Sequence, residues 1–223
     1  MSSLGSLQRL FNRSVATAVV LLVCAPFAST SAQRITLVGG LTFSKLRGVE
    51  EVKSENRNGT LFGVSFNVPT GATWSLQPEA LFISKGGKLG SSAAEGERDI
   101  KLDYVEIPVL VRRNFLNVAA LVPHVYAGPT VSFNVNCSVS VETNGIPEAR
   151  SDCMRDDFKP KTLDWGAAIG AGVDLSAGRF GITAGARYGI GIANILDDDS
   201  SQFRDRVRNG TLAVYAGFKL GGQ

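Results

Sequence analysis

The sequence is poor in the residues on which most metal centres and nucleophilic active sites depend. Its 223 residues include three cysteines and one histidine, which excludes a multi-histidine metal centre and most zinc ribbons. The 23 Lys and Arg residues nearly balance the 20 Asp and Glu residues, and no basic run stands out, so no nucleic-acid partner is indicated. Glycine, by contrast, is abundant at 25 residues, which argues against an ordinary helical enzyme.

The N-terminal region, residues 1–32, has the organisation of a secretory signal peptide. Residues 1–14 carry two arginines and no acidic residue, an apolar stretch follows at 15–27, and a run of small residues ends at Ala32. The apolar stretch is shorter than the ~20 residues that a helix needs to span a bilayer, so a membrane anchor is disfavoured. A lipid anchor on Cys24 is also disfavoured, because the residue before it is a valine rather than a small residue. We expect cleavage after Ala32.

The mature chain, residues 33–223, is expected to form one domain. It retains Cys137 and Cys153, an even pair of cysteines in an exported protein, and this predicts one disulfide. Both cysteines fall in a single predicted loop, 136–162. We therefore expect the bridge to stiffen that loop without bearing on the closure of the domain.

The mature chain alternates apolar and polar residues with a period of two, which indicates β-strands. The alternation is clearest over 121–135, where the odd positions are apolar and the even positions include His124 and Tyr126. No apolar run in this part of the chain approaches the length of a membrane helix. Eight strands are predicted, at 35–44, 60–68, 74–85, 100–113, 121–135, 163–175, 180–192 and 211–220.

The connections between these strands alternate between long and short. The long ones are 45–59, 86–99, 136–162 and 193–210, and the short ones are 69–73, 114–120 and 176–179. A soluble sandwich has no reason to sort its loops in this way. Transmembrane β-barrels do so, because they have long extracellular loops, short periplasmic turns and an even number of strands. The pattern predicts an all-β fold, an eight-stranded antiparallel up-and-down transmembrane β-barrel located in the outer membrane of the cell.

Aromatic residues on the apolar face support a membrane location. If the first strand runs outward, two aromatic girdles form, as membrane barrels show at their interfaces. The alternative is a soluble periplasmic lipocalin-like barrel, in which the apolar face would point inward. The expected outer girdle is Phe43, Phe62, Phe82, Phe133, Trp165 and Tyr188, and the expected periplasmic girdle is Trp74, Phe180 and Phe218.

Four prolines fall inside predicted strands, where proline removes a hydrogen-bond donor from a closed barrel that has no free edge. We expect β-bulges at these positions, and a bulge reverses the assignment of faces beyond it. The prolines are Pro78, Pro108, Pro123 and Pro129.

The strongest candidate site is a set of polar residues predicted to face the barrel lumen. Glu79, Glu106 and Arg187 point inward near mid-height, with Tyr126 and Tyr215 nearby. An eight-stranded barrel is just wide enough for side chains to fill, and isolated charges in it would be costly. We expect a Glu-Arg-Glu cluster that plugs the lumen. The functional alternative is a gate or a proton path.

Catalysis and metal binding find little support in the sequence. Any Ser-His-Asp or Cys-His mechanism would have to use His124, which has no obvious nucleophile beside it. We therefore interpret His124 as a polar residue that faces the lumen. The Asp197-Asp198-Asp199 run offers clustered carboxylates for Ca²⁺ but lacks EF-hand spacing, so a solvated loop is favoured. We expect no catalytic residues, no metal and no cofactor.

Several segments resemble the PorT-type outer-membrane β-barrel family. The resemblance covers essentially the whole mature chain, and it implies an eight-stranded barrel in a Gram-negative-type outer membrane. Some PorT-like proteins are associated with protein secretion machinery. The segments are Gln77-Pro78-Glu79, Phe82-Ile83-Ser84-Lys85-Gly86, Asp103-Tyr104-Val105-Glu106-Ile107-Pro108-Val109-Leu110-Val111, Tyr126-Ala127-Gly128-Pro129 and Arg187-Tyr188-Gly189.

These observations lead us to expect a monomeric, non-enzymatic barrel with a plugged polar lumen. Its partners would be outer-membrane lipid and an extracellular ligand or protein bound by the long loops, which would act in adhesion, binding or membrane integrity. The alternative is a narrow pore or an accessory component of a secretion or uptake system.

Overall fold

All regular structure in the described part of the chain is β-strand. The computed structural model describes residues 34–47, 53–90, 97–115, 120–143, 146–153, 161–177, 180–192 and 208–220. The predicted signal peptide, residues 1–32, and the Asp197-Asp198-Asp199 run lie outside these ranges. No helix within them has the length and hydropathy of a membrane span. The strands are β1 (Arg34–Arg47), β2 (Lys53–Glu55), β3 (Arg57–Pro69), β4 (Trp74–Gly90), β5 (Glu97–Asn114), β6 (Leu121–Thr143), β7 (Ile146–Asp152), β8 (Leu163–Ala177), β9 (Phe180–Gly191) and β10 (Arg208–Leu220).

Eight of these strands close into an antiparallel ring, in the order β1, β3, β4, β5, β6, β8, β9 and β10. The first and last strands complete the ring, with Ile35 opposite Leu220 at one end of their pairing and Arg47 opposite Arg208 at the other. The end that carries the β3–β4, β5–β6 and β8–β9 connections is called the short-turn end, and the opposite end is the long-loop end. Strands β2 and β7 pair with β4 and β6 at the long-loop end. The predicted eight-stranded barrel is confirmed.

The two faces of the barrel wall differ as the alternation predicts. Large apolar side chains stand on the outer face, where Leu41 and Ile169 are each 59% exposed and Trp165 is 53% exposed. Charged side chains such as Glu79 and Arg187 are buried inside. A soluble barrel buries its apolar face, so this arrangement excludes the lipocalin-like alternative. The outer face instead matches the lipid-facing band of a membrane barrel.

Aromatic side chains on the outer face mark two levels. Near the long-loop end, Phe62 and Phe82 stack with their ring centroids 5.0 Å apart. Near the short-turn end, Phe180 and Phe218 stack at 5.7 Å, and the Arg113 guanidinium lies 5.4 Å from the centre of the Trp74 ring. Aromatic rings at two levels of an apolar band are typical of the two interfaces of a bilayer.

Strands at the long-loop end are longer than the sequence predicts. The predicted loop 86–99 is mostly strand, because β4 continues to Gly90 and β5 begins at Glu97, and the two extensions pair with each other. β6 likewise continues to Thr143, so Cys137 lies in a strand rather than in a loop. At about 2.6 Å of height per residue, for a rise of ~3.4 Å and a tilt of ~40°, β4 rises roughly 20 Å beyond Phe82. Strands β4, β5 and β6 thus form a tall wall.

The expected bulges at the four prolines are wrong. Strand pairing is interrupted in three neighbouring seams, β3–β4, β4–β5 and β5–β6, beside Pro78, Pro108 and Pro129, but the register is the same on both sides of each interruption. The β6–β8 pairing runs unbroken past Pro123. A proline removes its own N–H donor, and the lost bond does not require an extra residue in the strand. The register shift within the described ring lies instead after Asp103.

Candidate functional site in the barrel lumen

Polar side chains project into the lumen in layers, the first of which lies near the short-turn end. The carboxylate of Asp174, on β8, accepts hydrogen bonds from Arg112 on β5 and from Lys219 on β10. The Nδ1 atom of His124, on β6, lies 3.7 Å from Asp174 Oδ1. All four side chains are buried. One carboxylate therefore ties together residues from β5, β8 and β10.

The second layer crosses the lumen near mid-height. Arg187 Nη2, on β9, donates to Glu79 Oε2 on β4 at 2.6 Å, and these two strands lie opposite each other in the ring. Gln77 Nε2 donates to Glu79 Oε1, also at 2.6 Å. The Tyr126 ring lies 5.6 Å from the Arg187 guanidinium, and the hydroxyls of Tyr126 and Tyr215 are 3.0 Å apart. The layers are connected, because Arg112 donates to Gln77 Oε1 at 3.2 Å.

The third layer contains Lys85, a residue that the predicted lumen cluster did not include. Glu106 pairs with Lys85, and Ser132 Oγ donates to Glu106 Oε2 at 3.0 Å. The five residues of the predicted cluster all lie inside the barrel, but the expected Glu-Arg-Glu arrangement is divided into two separate ion pairs. Lys85 was the last residue of a predicted strand, on the same face as Glu79, but nothing local in the sequence indicated that its ammonium group would pair with Glu106.

Glycines make room for two of the aromatic rings that lie in the lumen. Tyr215 lies against Gly185, where an added Cβ atom would stand 2.8 Å from the Tyr215 hydroxyl and 2.5 Å from Ala171 O. Tyr126 covers Gly170 in the same way, and a Cβ there would stand 2.3 Å from the Tyr126 hydroxyl. A barrel of eight strands has little interior space, so each large ring requires a neighbour without a side chain. Part of the glycine excess in the sequence is thereby explained.

The lumen wall is not polar throughout. Towards the long-loop end, the inner faces of β3, β4 and β5 carry a buried apolar cluster that the sequence did not predict. The disulfide between Cys137 and Cys153 adjoins it, with Cα atoms 5.6 Å apart, and confirms the predicted pairing. The bridge ties the end of β7 to β6. The cluster includes Leu61, Leu81, Ile83, Ile100, Leu102, Tyr104, Val139 and Cys153.

A small cavity, called the lumen pocket, lies beside the third layer. It offers about 10 Å³ to the centre of a water molecule, which is room for about one species of that size. Lys85 and Glu106 form part of its lining, and glycines of β8 and β9 form another part. Its remaining polar lining is Thr130, Ser132, Asp164, Asn209 and Thr211.

Neither metal chemistry nor a catalytic triad finds support in the described residues. They contain no group of three or more His, Cys, Asp and Glu side chains placed to hold a metal ion. His124 is buried, its ring lies 6.0 Å from that of Tyr126, and its Nδ1 atom has no hydrogen-bond partner in the described part of the chain. Most of the charged groups that the structure describes in the lumen are paired across a narrow space.

Comparisons with known proteins agree with this architecture. Solved structures with a similar fold include neisserial surface protein A, with 17% identity, a TM-score of 0.46, and coverage of 84% of this chain and 97% of that one. OprG from Pseudomonas aeruginosa has 13% identity and a TM-score of 0.52, over 87% of this chain and 99% of that one. Ail of Yersinia pestis, solved in complex with the heparin analogue sucrose octasulfate, has 14% identity and a TM-score of 0.40, over 85% and 99%. At these identities a likeness concerns the fold alone, and of these three structures OprG, with its TM-score above 0.5, is the one that supports it.

The family is shown by the sequence itself. A search of curated proteins gives no significant match. The sequence profile of a family described as outer membrane protein beta-barrel domain matches residues 27–197, which is more than half of the chain. The chain therefore belongs to the outer membrane protein beta-barrel domain family, and it is a lipid-embedded barrel of the outer membrane.

Proposed function

We propose that this outer-membrane barrel has a lumen closed to solutes and that it acts through its long-loop end. The observation that carries the proposal is the bond between Arg187 and Glu79. It joins β9 to β4 across the full width of the ring, at 2.6 Å, and both residues are buried. A side chain bridge between opposite walls leaves no open path along the axis at that height.

The energetics of the layers favour a closed lumen. An ion that moves along the axis must displace the Arg187–Glu79 pair and then the Arg112 and Lys219 contacts to Asp174. Breaking a buried pair by removing one partner costs about 3–5 kcal/mol, because the other charge is left uncompensated. The layers are connected through Gln77, so displacing one of them also disturbs its neighbour.

The tall wall of β4, β5 and β6 is the surface that we propose for binding. If the short turns face the periplasm, as in other membrane barrels, this wall stands on the cell exterior. The Cys137–Cys153 disulfide holds β7 against β6 there, and Arg57 donates to Asp99 Oδ1 at 2.7 Å across strands. A braced wall presents a fixed surface to an extracellular ligand or protein, which suits a structural, adhesion or binding role of a monomer.

A non-enzymatic role accompanies this proposal. Most charged groups of the described lumen are engaged with one another, and the single histidine lies deep inside between Asp174 and Tyr126. A catalytic base must reach the proton that it removes from a substrate. In a closed lumen His124 has no such access.

The second candidate function is a narrow pore or an accessory part of a secretion or uptake system. The polar groups favour it, because they form a nearly continuous line along the axis from Asp174 through Glu79 to Glu106. Membership of the PorT-type group, with its links to secretion machinery, belongs to the same candidate. Ion conductance separates the two.

Planar-bilayer recordings of the full barrel test the proposal. Wild type should show negligible steady conductance, and Arg187→Ala should show brief openings, because the bridge between β4 and β9 is gone. Arg113→Ala is the matched control, since Arg113 lies against Trp74 on the outer face and its loss leaves the lumen intact. It should behave as wild type. A large, stable conductance of wild type would overturn the proposal of a closed lumen and would favour the narrow pore.

A further inference from the structure

The lumen pocket contains acceptor oxygens that the protein does not satisfy. Asp164 is 3% exposed and Asn209 is 2% exposed. Asp164 Oδ1 and Asn209 Oδ1 are both buried and meet no hydrogen-bond donor within the described residues. The only contact between the two side chains among these residues uses the other atoms, Asn209 Nδ2 and Asp164 Oδ2, at a long 3.4 Å. Each side chain thus has one acceptor without a partner, and both residues line the lumen pocket.

The charge of the pocket is also uncompensated. Lys85 and Glu106 neutralise each other, and no lysine or arginine of the described residues forms an ion pair with Asp164. Positive charge is in excess around Asp174, where Arg112 and Lys219 share one carboxylate. That excess lies ten residues along β8, roughly 26 Å away at about 2.6 Å per residue, and it does little for Asp164.

A buried charge without a partner is costly, and proteins avoid it by protonating the group, by pairing it or by binding a metal ion. We propose that the lumen pocket binds one monovalent cation of the size of Na⁺, held by Asp164 Oδ1 and Asn209 Oδ1. The hydroxyls of Thr130 and Thr211, which line the same cavity, supply further neutral oxygen ligands. One unit of positive charge balances Asp164 and uses both remaining acceptors.

The surroundings select against other occupants. A divalent ion would bring a second positive charge next to the Lys85 ammonium, and Ca²⁺ takes six to eight oxygens from several carboxylates. The cavity has room for about one water-sized species, which excludes a hydrated ion and any larger organic amine. A water molecule fits and donates to both acceptors, but it leaves the charge of Asp164 uncompensated.

Urea unfolding in phosphatidylcholine bilayers tests the site. The chloride concentration and the ionic strength are held constant while Na⁺ replaces N-methyl-D-glucamine. Above the dissociation constant, each tenfold rise in Na⁺ should lower the unfolding equilibrium constant of wild type about tenfold, or ~1.4 kcal/mol. Asp164→Asn, which removes the charge and keeps the shape, should abolish this dependence.

A second variant fills the cavity and leaves the charge in place. A Cβ atom at Gly189, which lines the pocket, would have Thr211 O as its nearest neighbour at 3.8 Å, so Gly189→Ala places a methyl group in the cavity without a clash. It should also lose the Na⁺ dependence. Gly39→Ala is the matched control, because a Cβ there lies on the exposed outer face with its nearest atom at 4.0 Å. It should keep the wild-type response.

Crystals grown with Tl⁺ identify the occupant directly. An anomalous peak should lie between Asp164 and Asn209 in wild type and be absent from Asp164→Asn. Wild-type stability that is indifferent to Na⁺, together with no Tl⁺ peak, would show that the pocket holds only water or that Asp164 binds a proton, and would overturn the proposal. A response to Ca²⁺ but not to Na⁺ would overturn it as well.

Discussion

Replacing Ile169 with arginine tests whether the outer face of the barrel lies in lipid, and at what depth. Ile169 is 59% exposed on the outer face of β8. Ile192 is also 59% exposed, and its backbone N–H donates to Trp165 O at 2.8 Å, so it lies at the level of the aromatic residues near the long-loop end. The two isoleucines are thus matched in chemistry and exposure and differ in height.

The heights follow from the strand geometry. Trp165 marks the aromatic level near the long-loop end, and Ala177, which pairs with Phe180, marks the level near the short-turn end. At about 2.6 Å per residue these levels are roughly 31 Å apart, close to the ~30 Å hydrocarbon core of a bilayer. Ile169 then lies about 5 Å from the midplane, and Ile192 lies about 16 Å from it.

Depth decides the cost of a charge on the lipid face. Arginine near the midplane of a membrane barrel costs about 2–4 kcal/mol, and near the interface about 0–1 kcal/mol. Ile169→Arg should therefore lose ~2–4 kcal/mol of free energy of unfolding, and Ile192→Arg no more than ~1 kcal/mol. Val109→Arg, on β5 two strands away from β8 in the ring and 41% exposed, should resemble Ile169→Arg.

Reversible urea titration in phosphatidylcholine vesicles, followed by tryptophan fluorescence, measures these differences. Equal losses for Ile169→Arg and Ile192→Arg would refute the assigned depth. Wild-type stability of both Ile169→Arg and Val109→Arg would refute the lipid-facing assignment itself.

Two further predictions concern the closure of the ring and the disulfide. Gly40→Ala should cost ~1–3 kcal/mol, because its Cβ would stand 2.3 Å from Val214 O in the β1–β10 seam, whereas Gly39→Ala on the open outer face should stay within ~0.5 kcal/mol of wild type in the same titration. Maleimide should label neither Cys137 nor Cys153 in unreduced protein, and replacing both cysteines with serine should cost ~3 kcal/mol, as expected for the 16-residue separation of the pair; two reactive thiols before reduction would contradict this.

The orientation of side chains was predictable because lipid and lumen impose opposite demands on alternate residues. The period of two placed Ile169 and Val109 outside and Glu79 and Arg187 inside, and the structure agrees. The same period of two delimited eight strands, and the alternation of long and short connections indicated a membrane barrel. These features depend on local alternation alone, which a single sequence displays.

The partners in the lumen were not predictable, because they depend on register between strands. The pairing of β4 with β5 sets Leu81 opposite Glu106. Lys85 lies four residues after Leu81 on β4, and its side chain extends back to Glu106. Nothing local in the sequence reports that offset. The extension of β4 was missed for a related reason, since its glycine-rich end at 86–90 is typical of a loop and becomes a strand by pairing with β5.

The interrupted pairing beside Pro78, Pro108 and Pro129 makes the wall uneven around its circumference. The β8–β9, β9–β10 and β10–β1 seams are paired without a break, whereas each of the three seams from β3 to β6 is divided into shorter runs. Local opening requires fewer backbone bonds to break where runs are short. Hydrogen–deuterium exchange should therefore be faster for the amides on either side of these prolines than for those of β9 and β10, which pair without interruption.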